Sequence, residues 1–135
     1  MANTPDADLI ERTLERISEA AGDITPRVYR TFFDRRPDAK SYFTSEHSMA
    51  LGHMLTDVFM TLIDEANRGD YVPVLVESTL ADHDAKGVKD ASLYTDFMAS
   101  LRDTVTEVLE DDWPEAERRC FFSQCDRMLL RFTAA

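Results

Sequence analysis

Apolar residues along this chain recur at intervals of three and four. Leu9, Ile10, Leu14 and Ile17 share one face of a helix, which the spacing predicts from about Ala7 to Ala21, with Gly22 ending it. Thr25-Pro26 then offers a capping hydroxyl followed by proline at the first helical position, and Val28, Tyr29, Phe32 and Phe33 mark the inner side of a second helix. Pro37 breaks that helix, and a short helical turn, Asp38–Tyr42, leads to Phe43. A long third helix, capped by Ser45 or Ser48, carries Leu51 or Gly52, then Leu55, Phe59, Leu62 and Ile63, and closes at Arg68-Gly69-Asp70. The fourth runs from about Val72 to His83, with Gly87-Val88 at its end. Asp90 or Ser92 caps a fifth, striped by Leu93, Phe97, Leu101, Val105 and Val108 with Leu109. Glu110 to Pro114 reads as a corner, and Pro114 opens a last helix that buries Ala116 or Cys120, then Phe121, Gln124 or Cys125, Met128, Leu129 and Phe132.

No run of alternating β-branched residues interrupts this pattern, so the fold class is all-α, with six main helices and one short turn. A chain of 135 residues without linker, repeat or low-complexity tract is expected to form one domain, 1–135. Six helices are too many for a simple four-helix bundle and suggest steep crossings around an internal site.

Charge narrows the function classes. The formal net charge of −11 repels phosphate backbones and anionic membranes, so nucleic acid and membrane are not expected as partners. The segment Met1–Asp6 has neither a basic region nor an apolar one, and no apolar run reaches membrane-spanning length; a soluble, cytoplasmic protein is expected. Cys120 and Cys125 sit five apart in one helical segment, more than about 7 Å between Cα atoms and too far for a disulfide. Both are read as reduced thiols, and no C-x-x-C or His/Cys cluster suggests zinc.

The most informative residue is His83. It stands on the apolar stripe of the fourth helix, just before Gly87-Val88. An imidazole there is either a core histidine satisfied by neighbours or a ligand aimed into a pocket. The residues themselves leave both open.

Three stretches taken in order decide the reading. The first is Val28-Tyr29-Arg30-Thr31-Phe32-Phe33, running through Pro37 to Tyr42-Phe43; the second is His83 with Gly87-Val88; the third is the corner Glu110-Asp111-Asp112-Trp113-Pro114. Together they resemble the globins, most closely the globin domains of bacterial flavohaemoglobins and single-domain bacterial haemoglobins, over nearly the whole chain. The resemblance implies a globin fold around haem b, with His83 as the proximal iron ligand. It implies Tyr29 over the iron and Phe43 wedged against the porphyrin. Leu51 falls at the distal gate and Leu55 above the iron, with Gly52 at the helix crossing, and Val88, Phe97 and Leu101 complete the walls. Lys86, three residues after His83, is a candidate partner for a propionate. O2, NO or CO would occupy the open position, hydrogen-bonded by Tyr29.

The chain departs from the family at several points. The gate is usually His or Gln and here reads Leu51, which removes a second hydrogen-bond donor. His53 points about 200° around the helix from that position. Placing it at the gate would put Asp57 over the iron, which a buried site should reject. His53 or Met54 could become an internal sixth ligand only if the distal helix slid. Asp82 and Asp84 flank His83 where the family often has a Lys-His pair, and the segment from Val88 to Tyr94 is one residue longer. No reductase domain fits in this length, so NO dioxygenation would need a separate reductase. The alternative function is a haem-free globin-like sensor or adaptor.

Overall fold

A computed structural model describes residues 4–42, 48–68, 71–85, 87, 88 and 90–133, with the backbone alone at 42, 48–54, 71–75 and 82. Its regular elements are six α-helices: α1 (Pro5–Ala21), α2 (Thr25–Arg35), α3 (Ser48–Ala66), α4 (Tyr71–Ala85), α5 (Ser92–Leu109) and α6 (Glu115–Thr133). Two 3-10 turns, Pro37–Tyr42 and Glu110–Asp112, fill the corners, and no strand occurs among the described residues. No helix there is long and apolar enough to cross a membrane.

The ends of the helices refine the sequence reading. α1 begins two residues before the expected Ala7, because Thr4 caps it: its side chain accepts from the Ala7 N–H, with Pro5 behind it in the first turn. The Thr4 hydroxyl also donates to the Ala66 carbonyl (2.9 Å), and the Thr4 N–H donates to Asn67 Oδ1 (2.8 Å). Thr25 is not the cap of α2. It lies inside the helix, and Asp23 Oδ1 accepts from both its N–H (2.9 Å) and its hydroxyl (2.6 Å). The Thr25 hydroxyl is thus spent as a donor to the carboxylate two residues upstream, a charge-assisted bond, and these bonds hold the Asp23 carboxyl below its ordinary range. Pro114 stands just before α6, where its carbonyl accepts from Arg118 N–H (3.0 Å). α3 starts at Ser48; Ser45 lies outside the described residues.

The main core is built where α1, α3, α5 and α6 meet. Ile10, Leu62, Leu101, Val105, Phe121 and Cys125 are inaccessible to solvent there. Trp113 anchors the corner before α6. Its ring lies edge-on to Phe121 (5.6 Å between centroids) and Phe122 (5.7 Å), and its indole N–H donates to Thr13 Oγ1 (3.2 Å), so the polar end of a buried ring is satisfied. Of the alternatives on α6, Cys120 is buried and Ala116 exposed, while Gln124 and Cys125 are both buried. Both cysteines are free thiols, and burial pushes Cys120 up to about 11 and Cys125 up to about 12, which keeps them protonated at neutral pH.

Two buried carboxylates went unforeseen. Glu117 is gripped in a fork by Arg16 (2.8 and 3.2 Å), which joins α1 to α6. Glu65 accepts from Arg127 Nε (3.1 Å) and Arg131 Nε (2.6 Å), which joins α3 to α6. Glu117 lies four residues before Phe121 and Glu65 three after Leu62, each on the stripe its helix buries. Extending those stripes by one turn would have found both.

Candidate functional site

A second, smaller core cluster sits beside the first. Tyr29 and Phe32 from α2, Ala39 from the Pro37–Tyr42 turn and Leu93 from α5 are buried in it, and Phe33, Val88 and Phe97 pack around them. The aromatic rings interlock without stacking flat. Tyr29 tilts against Phe97 (5.6 Å) and Phe33 (5.9 Å), and Phe32 meets Phe97 edge-on (5.4 Å), the geometry that ring quadrupoles favour. Tyr29 is only 2% exposed, and burial pushes its phenol well above the ordinary tyrosine value.

His83 lies two residues before the last residue of α4, Ala85, and the chain turns sharply after it. Gly87 N–H donates to the Asp84 carbonyl (3.0 Å) and Val88 N–H to the His83 carbonyl (2.9 Å). This pair of bonds is a Schellman closure, which requires a left-handed residue between them; Gly87 supplies it with φ +88°. The consequence is that Val88 folds back beside His83 and enters the aromatic cluster that holds Tyr29.

The imidazole itself is half-buried. Its Nδ1 lies 2.8 Å from the Tyr94 hydroxyl, and the two rings stack at 5.6 Å with a 25° tilt. Tyr94 stacks in turn on Phe132 of α6 (5.0 Å, 26°). One ring nitrogen is therefore engaged by a hydroxyl on α5. With the proton on Nδ1 and Tyr94 Oη accepting it, Nε2 carries the lone pair, the form in which an imidazole binds a metal. Tyr94 was missed by the sequence reading. It is eleven residues from His83 across a helix end and a loop, where helical periodicity relates no two side chains.

The remaining sequence-assigned residues divide into two groups. Phe97 packs against both clusters; Leu55 and Leu101 are buried in the main core, and Val88 is half-buried in the second. Phe43 and Lys86 lie outside the described residues, as do the side chains of Leu51, Gly52, His53, Met54 and Asp82. Asp84 is exposed. No group of three or more His, Cys, Asp or Glu side chains among the described residues is arranged to hold a metal ion by itself.

Arg36 locks the floor of this region. Its guanidinium donates to Asp38 (2.8 and 3.0 Å), Asp90 (3.1 Å), Asp96 (3.0 Å) and Ser92 (2.7 Å), which ties the turn after α2 to the start of α5. Asp38 is held below the usual carboxylate range by Arg36, and Asp90 chiefly by the Ser92 hydroxyl and N–H, with Arg36 adding to it. Carboxyls lowered in the folded state contribute stability above the unfolded range near ~4 and lose it as pH falls through their folded values. The urea midpoint should therefore drop below about pH 4. Asp90→Asn should be less stable than the parent at pH 7 and show a shallower acid decline; equal slopes would remove Asp90 from this account.

No protein-family model matches the chain, and no curated protein sequence matches it.

Proposed function

We propose that this protein is a haem-binding globin that reversibly holds a diatomic gas, O2 foremost and NO or CO as well, at an iron carried by His83. The observation that supports the reading is the His83–Tyr94 pair: a tyrosine hydroxyl 2.8 Å from Nδ1 fixes the imidazole plane, the kind of partner that orients a metal-ligating histidine. The ordered all-α architecture supports it, as does the enclosed Tyr29, which shares a cluster with Val88.

In this reading His83 would hold the haem, and Val88, Phe97, Leu55 and Leu101 would enclose it together with Phe43 and Leu51. Lys86 would reach a propionate. Burying on the order of 400 Å² of porphyrin would contribute about 10 kcal/mol before ordering costs. The iron, when bound, supplies an open coordination position for the gas. Tyr29 would donate its O–H to the gas held there. Because burial raises its pKa, the phenol stays a neutral donor throughout the physiological range. A hydrogen bond in an apolar pocket is worth roughly 1–3 kcal/mol, so Tyr29 would slow O2 release by up to about a hundredfold and affect the less polar CO little. NO dioxygenation would draw electrons from a separate reductase.

The test is the absorption spectrum of protein expressed with haem supplied. A Soret band is expected; a well-folded, colourless protein would end the proposal in favour of a haem-free sensor or adaptor. In the coloured protein, Tyr29→Phe should release O2 faster by up to about a hundredfold with CO nearly unchanged. An unchanged O2 rate would take Tyr29 out of the mechanism.

A further inference from the structure

The outer face of α6 combines two features rarely found together on this chain: positive charge and exposed apolar surface. α6 turns Phe121, Gln124, Cys125 and Met128 inward. The opposite face carries a shallow groove of about 460 Å³, lined by Arg118, Arg119, Phe122, Asp126, Arg127 and Leu130. Leu130 is 64% exposed, matched among large apolar side chains of the described residues only by Met60 on α3. Phe122 sits against Trp113, with the Arg102 guanidinium 5.6 Å above its ring, so its position is fixed.

The charges along this groove do not cancel. Arg118 (3.8 Å) and Arg119 (2.9 Å) share the single carboxylate of Glu115. Arg102 takes Asp126, while Arg127 and Arg131 share Glu65. Among the described residues, these ion pairs set five guanidinium groups against three carboxylates, so the face is locally cationic on a chain whose net charge is −11.

The geometry points to a docking groove for an acidic amphipathic helix of a partner protein. Its apolar stripe would rest on Phe122 and Leu130, which lie eight residues and about 12 Å apart along α6. Its carboxylates would meet Arg118 and Arg119, whose side chains are 47% and 76% exposed. A second copy fits poorly, since a two-fold contact through α6 sets arginine face against arginine face. A long polyanion or an anionic bilayer meets the repulsion of the whole chain, whereas a short acidic helix brings few charges and feels mainly the local field. The groove faces away from the side of α6 on which Phe132 stacks on Tyr94. The inference is therefore independent of gas binding.

The probe is a fluorescein-labelled synthetic peptide of about 16 residues, long enough to be helical, with leucine on one stripe, about four glutamates flanking it, and alanine and glutamine elsewhere. Its counterpart carries lysine in place of glutamate. Fluorescence anisotropy should show saturable binding of the glutamate peptide, none of the lysine peptide, and weakening with added salt. The double variant Arg118→Glu/Arg119→Glu should lose at least about tenfold in affinity, equivalent to about 1.4 kcal/mol. Leu130→Ser should also weaken binding, and Arg118→Lys/Arg119→Lys should retain it. All these positions are exposed, and circular dichroism will verify the fold. Equal binding of both peptides, or indifference to the charge reversal, overturns the inference. So does self-association in sedimentation that Leu130→Ser abolishes, or binding to phosphatidylserine vesicles without binding to the peptide.

Discussion

His83→Ala is expected to abolish the Soret band of protein expressed with haem supplied, while the far-ultraviolet dichroism stays that of a helical protein. The reason lies in what the side chain does for the fold and what it is proposed to do for the metal. His83 is half-buried near the end of α4, and the bonds that close the helix use its carbonyl, which alanine retains. Truncation therefore removes one ring from a stack with Tyr94 and leaves the Gly87 turn in place. The iron ligand this reading assigns to His83, by contrast, would be lost, because alanine offers no donor atom. Free imidazole added to the variant should occupy the vacated space and restore the band. An unshifted band in His83→Ala would transfer the ligand role elsewhere and sink the assignment.

Phe121→Ala is the largest expected loss of stability. Phe121 is fully buried where α1, α5 and α6 converge, with the Trp113 ring edge-on to it. Removing it deletes the transfer free energy of the ring and leaves a cavity that rigid helices cannot close, together about 3–5 kcal/mol. Urea unfolding should give a midpoint lowered accordingly with an unchanged slope, since the surface exposed on unfolding barely alters. A loss below about 1.5 kcal/mol would mean that the core repacks around the space.

These cases mark how far the sequence could be read. The helices were legible because each carries an apolar stripe, so α5 from Leu93 to Leu109 and α6 from Phe121 to Phe132 could be placed by period alone. Ends were less legible. Thr25 and Asp23 both offer a capping oxygen, and only the backbone direction decides which one meets the free N–H. Polar pairs between helices were not legible at all. Glu65 meets Arg131 across 66 positions and Arg36 meets Asp96 across 60, separations on which local periodicity is silent. For the site, His83 and Tyr29 stood out by residue type and order, whereas Tyr94 was hidden because its role depends on how the turn at Gly87 sets α5 against α4. The assignment of Phe43, Leu51 and Lys86 still rests on family resemblance.

The hydroxyl of Thr4 serves two helix ends at once. It accepts the free amide of Ala7 at the start of α1 and donates to the Ala66 carbonyl at the finish of α3. Fraying in either place costs the other its partner, so the first turn of one helix and the last turn of the other should open as a unit. Amide protons there would exchange with solvent through one shared event instead of two independent ones.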